Sequence, residues 1–390
     1  MPAIRALDKL DDILASSENF LQRMHERGND PHQHKQLNRL FSPSEAAEMV
    51  GRDRTTLARA EAELGFESLQ RNPANNRRVG YSLQQVQAFR KHFGTLPWRA
   101  AGEAPMTIAC QNFKGGVGKS TTCVNFAHYL ALKGYRVLVV DTDSQATTTS
   151  MFGYMPDAQI TQEHTLLPYL DSSETTLVYA VRKTYWPNVD LIPSCLALYD
   201  AELAIAAHLA TQEDRIKRLD FFSELKFGLQ TVAEHYDVIL LDSPPSLGLI
   251  SINVLLAADC LLVPTAPRMH DFTSTVQFFR MVRNYISQID ADKEYRWISV
   301  LTTLFDQRLV SHKQFFEVMQ ACFGDVILQH VFFQSSEIIN SAVQYLGSYE
   351  QPKPNRKVLE MLDGVFGEIE IRILREWPSK RAMLNEKGIV

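Results

Sequence analysis

The feature that most constrains this chain is the glycine-rich loop FKGGVGKST, residues 113–121. The loop follows an apolar run, MTIACQNF, that predicts a strand, and it opens KSTTCVNFAHYLALKG, which predicts a helix ending at Gly134. A strand, a glycine-rich turn and a helix in this order form a phosphate-binding P-loop, because the backbone N–H groups converge at the N-terminus of the helix. The sequence therefore predicts a nucleotide-binding α/β domain.

Each residue of this loop has a predicted role. Lys119 is expected to reach the β- and γ-phosphates, Ser120 to ligate Mg²⁺ and Thr121 to contact the α-phosphate. The predicted phosphate-binding residues are Lys114, Gly115, Gly116, Val117, Gly118, Lys119, Ser120 and Thr121. Lys114 is additional to the usual pattern. It lies at the outer edge of the loop and can extend toward a neighbouring molecule, although a solvated surface lysine is the alternative.

Apolar runs that predict strands alternate with helical patterns from Met106 onward. They are MTIACQNF, RVLVVD, VDLIP, DVILLD, DCLLVPT, WISVLTT and DVILQHV. Near-continuous apolar strands that alternate with helices are typical of a mainly parallel sheet flanked by helices. We therefore predict an α/β P-loop NTPase fold for residues 105–390, preceded by an all-α domain that resembles a winged helix-turn-helix.

Residues 1–36 are predicted to form a separate N-terminal helix and a polar linker. Apolar residues recur there at helical spacing, at Leu7, Leu10, Leu14, Leu21 and Met24. Such a seam indicates a helix with one apolar face. The face could pair with a second copy of the chain or pack on its own domain, and we predict a dimerisation helix.

Residues 37–104 predict a helix-turn-helix domain, ending in the linker TLPWRAAGEAP. In FSPSEAAEMVGRDRTTLARAEAELGF, Ser42 or Ser44 can cap a first helix, Gly51 occupies a turn and Leu57 closes the core of the pair. The second helix opens at Arg54 or Thr55. A further helix is predicted over YSLQQVQAFRKHFG, residues 81–94.

The outward face of the second helix has the residue types that read a DNA major groove: Arg54, Thr55, Thr56 and Arg59. The stretch that follows, QRNPANNRRVGYS, predicts a basic hairpin or wing in which Arg77 and Arg78 contact phosphates. Residues 51–100 contain nine Lys or Arg against four Asp or Glu, although the whole chain has a net charge of -5. This local excess favours DNA binding over the alternative, a helix pair with a purely structural role.

The loop with its second lysine resembles the deviant Walker A ATPases of the ParA/MinD family. Two acidic segments, VLVVDTDSQATTTSMFG and DVILLDSPPSLGLIS, resemble further motifs of that family. The resemblance implies ATP and Mg²⁺ as cofactors, and hydrolysis of ATP to ADP and phosphate. It implies that Lys114 crosses a dimer to the ATP of the partner and that Asp143 orients or deprotonates the attacking water. Asp141 and Asp242 would then support the magnesium ion.

An N-terminal helix and a helix-turn-helix before the ATPase resemble the large plasmid-partition ParA proteins, including RepA-type members. This resemblance implies an ATP-dependent homodimer that binds DNA without strong sequence preference. It also implies a ParB-type centromere-binding partner, repression of its own operon, and a cytoplasmic, nucleoid-associated location. The alternative is a transcriptional repressor that ATP switches and that has no role in segregation.

Other candidates follow from position alone. The base of ATP is expected near Thr303, Phe305 and residues 332–337. Basic residues of the ATPase domain that are candidates for DNA contacts, or else solvated surface charges, are Arg280, Arg283, Lys293, Arg296, Arg308 and Lys313. The cysteines Cys110, Cys123, Cys195, Cys260 and Cys322 have no metal-site spacing and are predicted to be buried free thiols.

No membrane segment is predicted. The apolar runs break at charges within a few residues, and the N-terminus lacks the apolar core of a signal peptide. The C-terminal segment is partly apolar and basic, but Glu368, Glu370 and Glu376 interrupt its basic face and Pro378 breaks it.

Overall fold

The computed structural model describes residues 5–26, 35–66, 79–211, 221–351, 353–386 and 388. The chain begins with four helices. They are α1 (Ala6–Glu26), α2 (Pro43–Val50), α3 (Arg54–Glu63) and α4 (Leu83–Phe93).

Helices α2 and α3 lie on either side of a turn at Gly51, where the sequence predicted one. Ser42 caps α2 in a reciprocal capping box with Glu45, and Gly51 ends the helix at φ 70°, a left-handed conformation that glycine adopts without strain. Asp53 caps α3 by accepting from the backbone N–H of Thr56 at 2.9 Å. Leu57 is buried, as the core of such a pair requires.

The α/β domain contains, among the described residues, a seven-stranded sheet in the order β3-β4-β2-β5-β1-β6-β7. The strands are β1 (Met106–Cys110), β2 (Val137–Asp141), β3 (Arg182–Lys183), β4 (Val189–Ile192), β5 (Val238–Asp242), β6 (Cys260–Thr265) and β7 (Trp297–Thr302). All neighbouring strands pair in parallel except β3 with β4. The predicted α/β class is confirmed.

The sheet is covered on both faces by helices. Those of the described residues are α5 (Lys119–Lys133), α6 (Thr147–Met151), α7 (Leu167–Leu170), α8 (Leu198–Thr211), α9 (Glu224–Gln230), α10 (Leu249–Ala257), α11 (Met269–Ile289), α12 (Val310–Phe323), α13 (Ser336–Val343), α14 (Arg356–Glu376) and α15 (Pro378–Glu386). Alternate strand residues enter two separate cores: Ile108 and Val139 pack in one, and Ala109 and Val140 in the other.

One predicted strand is wrong. The segment DVILQHV, residues 325–331, runs beside β7 but makes only the isolated bridge between Ile327 and Val300. Leu328 N–H donates to Val300, whereas the N–H groups of the next two residues, Gln329 and His330, donate to the carboxylate of Glu368. Because Glu368 accepts from these two donors, the pairing with β7 is interrupted until Phe332 N–H donates to Thr302 O at 2.8 Å.

Helices α2, α3 and α4 share one hydrophobic core with the α/β domain, and this core contains both Leu57 and Val124. The predicted linker also lies on the α/β domain. Trp98 Nε1 donates to Gly134 O at 2.9 Å, and Arg99 Nε donates to Tyr236 O at 2.9 Å. These contacts hold the linker against the end of α5 and the start of β5.

Two further predictions concern composition. Four cysteines are buried free thiols as predicted, but Cys322 is exposed. Among the described residues, no helix is both long and apolar enough to span a membrane.

Candidate nucleotide site and DNA-facing helix

The P-loop joins β1 to α5 and forms an open cradle. Gly116 and Gly118 have φ of 75° and 86°, in the left-handed region that glycine favours. A Cβ atom added at either glycine would meet nothing within 4 Å. Both positions therefore face free space above the N-terminus of α5, where a phosphate group can approach the backbone N–H groups.

The two lysines of the loop are placed differently. Lys119 is 7% exposed, and its Nζ donates to the carbonyl of Lys114 at 3.3 Å, inside the loop. Burial lowers the pKa of Lys119, and the charge of Asp242 opposes that shift. Lys114 is exposed, and its ammonium has no partner among the residues that the structure describes. The amide of Lys114 donates to Asn112 Oδ1 at 3.3 Å, which fixes the edge of the loop.

The carboxylates of the site lie at the carboxyl ends of neighbouring strands. Asp242 at the end of β5 pairs in register with Cys110 on one side and with Asp141 on the other. Both aspartates are fully buried. Burial raises the pKa of each carboxyl group; it raises that of Asp242 to about 6, against hydrogen bonds from Thr148 and Ser120.

Asp242 and Ser120 fit a magnesium ion. Asp242 Oδ2 accepts from the Thr148 hydroxyl at 2.7 Å, and Oδ1 is buried with no hydrogen-bond partner among the described residues. A buried carboxylate oxygen without a donor is costly, so it suits a cation or a metal-bound water. No group of three or more acidic, His or Cys side chains that could hold a metal occurs in the described part of the chain.

Asp141 is held by α6. Its Oδ2 accepts from both the N–H and the hydroxyl of Thr149, at 2.8 and 2.7 Å. Its Oδ1 accepts from the N–H of Asp143 at 3.2 Å. These three hydrogen bonds tie the Asp141 carboxylate to Thr149 of α6 and to Asp143 of the loop that precedes α6.

Asp143 is half-buried and lines a cleft of about 220 Å³. The cleft is also lined by Pro244, Pro245 and Ser246 of the loop after β5, and by Glu202 of α8. The structure therefore brings together the two acidic segments that the sequence singled out, on either side of a space large enough for water beside the phosphate loop.

The segments predicted to surround the base are adjacent. Phe305 exchanges backbone hydrogen bonds with Phe332 and Gln334, and its ring lies 6.0 Å from that of Phe333. Phe305, Phe333 and Gln334 line a cleft of about 650 Å³. Thr303 does not line this cleft; its hydroxyl donates to Val117 O in the phosphate loop at 2.9 Å.

Helix α3, predicted to contact DNA, exposes part of the predicted set of residues. Arg54, Thr55 and Arg59 are exposed, whereas Thr56 is half-buried and its hydroxyl donates to Asp53 at 2.6 Å, within the helix cap. Arg54 also donates to the Ser44 hydroxyl at 3.2 Å. The predicted wing residues Arg77 and Arg78 lie outside the described residues.

Three residues that support the site were not singled out from the sequence. Thr148 and Thr149 belong to the run TTTS. This run has only a weak helical pattern, so the five-residue helix α6 was not predicted. Asn112 precedes the loop, and its amide donates to Pro264 O at 2.8 Å and to Thr275 Oγ1 at 3.0 Å. A polar residue at the end of an otherwise apolar strand was the signal available for Asn112.

Comparison with known proteins agrees with this geometry. A family model described as an AAA domain matches residues 106–294. Protein SopA from Escherichia coli K12 is 32% identical over 352 residues, which span 87% of this chain and 90% of SopA. Among solved structures, a partition protein covers 94% of this chain and 99% of its own, with a TM-score of 0.64 and 20% identity, and so shares the fold.

A second solved structure is cobyrinic acid a,c-diamide synthase from Mycobacterium smegmatis with a bound ATP analogue and magnesium. It is 26% identical, has a TM-score of 0.51, and covers 62% of this chain and 91% of its own. With the P-loop, its second lysine and the likeness to SopA over nearly the whole length, this chain belongs to the ParA/MinD family of deviant Walker A ATPases, among the large plasmid-partition ParA proteins.

Proposed function

We propose that this chain is a DNA-partition ATPase that binds ATP and Mg²⁺, dimerises on ATP, binds DNA without strong sequence preference, and is stimulated by a ParB-type protein. Membership of the plasmid-partition ParA proteins supports the ATPase and partition activities. One observation carries the finer proposal: Lys119 is turned into the phosphate loop, whereas Lys114 is exposed at its edge with no partner among the described residues.

In this proposal, different residues of the loop bind different parts of the nucleotide. Lys119 and the backbone N–H groups of the loop hold the β- and γ-phosphates, and Thr121 contacts the α-phosphate. Ser120 and Asp242 hold the magnesium ion, and Asp141 supports them from the neighbouring strand. When bound, Mg²⁺ neutralises charge on the phosphates. The base lies near Phe305 and residues 332–337, because these segments form a cleft of suitable size.

Hydrolysis needs a water molecule aligned with the γ-phosphorus. Asp143 orients this water and accepts its proton while the bond to the bridging oxygen of ADP breaks. The Asp143 N–H donates to Asp141, so the catalytic loop is tied to the strand that flanks Asp242. The enzyme supplies position and charge, and it needs no covalent intermediate.

Dimerisation has two sources in this proposal. Lys114 reaches the phosphates bound by the partner subunit, so ATP lies between two copies. Independently, α1 exposes Leu7, Leu10, Ile13 and Leu14, with exposed fractions between 49% and 73%. This face does not pack on the described part of its own chain, which favours pairing with α1 of a second copy, as predicted for residues 1–36.

Outside the helix-turn-helix, only some of the basic candidates for DNA contacts have side chains free to bind phosphates. Of the six basic candidates, Lys293 donates to Leu256 O and Ala258 O at the end of α10, Arg296 pairs with Glu376, and Arg308 pairs with Asp306. The three that stay exposed, with no partner in the described part of the chain, are Arg280, Arg283 and Lys313. These three are the proposed non-specific phosphate contacts, together with Arg77 and Arg78 of the predicted wing.

A second function, repression of an operator, is favoured by the exposed Arg54, Thr55 and Arg59 of α3. The two functions differ in their ATP dependence. We expect ATP to raise the affinity for a random-sequence duplex, measured by fluorescence anisotropy, and rising salt to abolish that binding. The double variant Arg280→Ala/Arg283→Ala should lose this binding, and Arg296→Ala is the matched control because its charge is already paired.

The repressor alternative makes the opposite prediction. If ATP leaves the affinity for random DNA unchanged while operator binding persists, the segregation function is wrong and the protein is an ATP-switched repressor. We expect association with the nucleoid in cells only if ATP raises the affinity for random-sequence DNA.

A further inference from the structure

The chain segment that precedes the helix-turn-helix enters the ATPase domain at Lys35. The Lys35 side chain is 7% exposed. Its ammonium donates to the backbone carbonyls of Met151 and Tyr345, lies 3.8 Å from Glu350 Oε1, and lies 4.9 Å from the centre of the Tyr185 ring. Two carbonyls, a carboxylate and an aromatic face together form a specific ammonium site.

The lysine stem fits a groove that glycine opens. A Cβ atom added at Gly153 would lie 3.1 Å from both Cβ and Cδ of Lys35. Gly153 has φ of 87° and follows α6 by two residues, so the turn after α6 is shaped around the stem. The contact therefore joins Lys35 to α6 through both its aliphatic stem and its ammonium group.

Helix α6 is the element that holds the carboxylates of the nucleotide site. Met151, whose carbonyl Lys35 binds, is its last residue. Thr148 holds Asp242 and Thr149 holds Asp141, only two or three residues before Met151. Because α6 is a single short helix, a shift at its C-terminal end moves both threonines.

The N-terminal end of α6 is tied to the catalytic loop. Ala146 precedes the helix with φ of 51°, a strained conformation for alanine, and its N–H donates to Asp143 O at 2.9 Å. Strain of this kind persists only when the surrounding contacts fix the backbone. Lys35 supplies one such contact, and its positive charge lies where the C-terminal carbonyls of a helix favour a cation.

Stability alone does not account for a charged residue at this position. Burying an ammonium costs free energy that the ion pair with Glu350 only partly offsets, so a buried ion pair is weak evidence for a purely stabilising role. Lysine also makes directional hydrogen bonds, because its N–H groups donate to the carbonyls of Met151 and Tyr345 and hold them in place. The titratable groups that face it are Glu350, Tyr185 and the buried ring of His128.

We propose that Lys35 is a positioning residue for ATP hydrolysis, which acts through α6 on Asp143 and on the carboxylates of Asp141 and Asp242. This inference rests on the ATPase activity proposed above. It links the segment beyond the dimerisation helix to the catalytic loop, so the N-terminal region contributes to turnover as well as to association.

The test compares Lys35→Met with Lys183→Met in the full-length protein. Lys183 is a matched control because it lies on the edge strand β3, its side chain is 87% exposed, and it pairs with Asp190 of β4. We expect Lys35→Met to lower kcat about tenfold, since small misplacements of catalytic groups cost one to two orders of magnitude, while KM and the affinity for a fluorescent ATP analogue change less than about twofold. Lys183→Met should match the wild type.

Chemical rescue by an added amine distinguishes a positioning role of Lys35 from a general loss of structure. In Lys35→Ala, n-propylammonium should occupy the vacated site and restore part of kcat, whereas it should not restore activity to Lys119→Ala. Glu350→Gln is a second variant that retains Lys35 and the side-chain volume, and it should lower kcat in the same direction, so the inference stays testable if Lys35→Met fails to fold.

Two results would overturn the inference alone. They are a kcat for Lys35→Met within twofold of wild type, or an equal loss in kcat and nucleotide affinity that the amine does not restore. If the wild-type protein itself does not hydrolyse ATP, the proposed function fails instead.

Discussion

The substitution Thr149→Val tests the network that holds the buried aspartates. The Thr149 hydroxyl donates to Asp141 Oδ2 at 2.7 Å and accepts from the Ser194 N–H at 2.9 Å. Thr149 is fully buried, and valine has the same shape, so the change removes two hydrogen bonds and leaves no cavity. A buried N–H without an acceptor costs about 1–3 kcal/mol, and loss of a donor to a carboxylate costs a similar amount. We expect the free energy of unfolding to fall by about 3 kcal/mol.

The assay is urea unfolding without nucleotide, where the midpoint and slope give the free energy of unfolding. Thr273→Val is the matched control, because its hydroxyl donates to Met269 O at 2.9 Å on the exposed face of α11. Its effect should stay within about 0.5 kcal/mol. A loss for Thr149→Val no larger than that of the control would refute the view that α6 fixes the site.

Three further predictions concern DNA, chemistry and pH. Arg54→Ala/Arg59→Ala should abolish operator binding in a gel-shift assay and spare ATPase activity, whereas Arg356→Ala, at an exposed surface position, should change neither; loss of both activities would indicate unfolding. Asp143→Ala should retain ATP binding and the ATP-dependent dimer but stop phosphate release, and retained turnover would contradict its role. Because burial lowers the pKa of Lys35 from 10.5 to about 8, the folded state binds fewer protons than the unfolded state between these values. Wild-type stability relative to Lys35→Met should therefore rise from pH 8 to 10.5, by up to about 3 kcal/mol, and a flat difference would contradict the burial.

Local signals in the sequence were enough for the main architecture. The glycine-rich loop, the apolar strands and the pair of capped helices around Gly51 are each specified within about 15 residues, and each appears in the structure. The family resemblance singled out Asp141 and Asp242, and the structure places both at one edge of the sheet, where the parallel strands β2 and β5 end together. The loop, the strands and the capped helices could be predicted because each depends on a short, local sequence pattern.

The features that were missed depend on contacts between distant residues. Lys35 binds carbonyls 116 and 310 positions away, and nothing in its own neighbourhood predicts that site. The linker TLPWRAAGEAP is held by the contact of Arg99 with Tyr236, so its proline, glycine and alanine content suggested more freedom than the contacts allow. The failed strand at 325–331 has the apolar pattern of a strand, but Glu368 takes its backbone donors.

The central claim is that the two lysines of the phosphate loop have different tasks. Sedimentation equilibrium with a non-hydrolysable ATP analogue tests it most directly, with nucleotide-free protein as the baseline for association through α1. Loss of a charged contact to phosphate costs about 2 kcal/mol, and the homodimer contains two such contacts, so Lys114→Ala should weaken the nucleotide-dependent dimer by about 4 kcal/mol, or about 1,000-fold, while retaining nucleotide binding. Lys119→Ala should lose nucleotide binding itself. A Lys114→Ala protein that dimerises with nucleotide as strongly as the wild type would contradict the claim that Lys114 reaches across to the partner subunit.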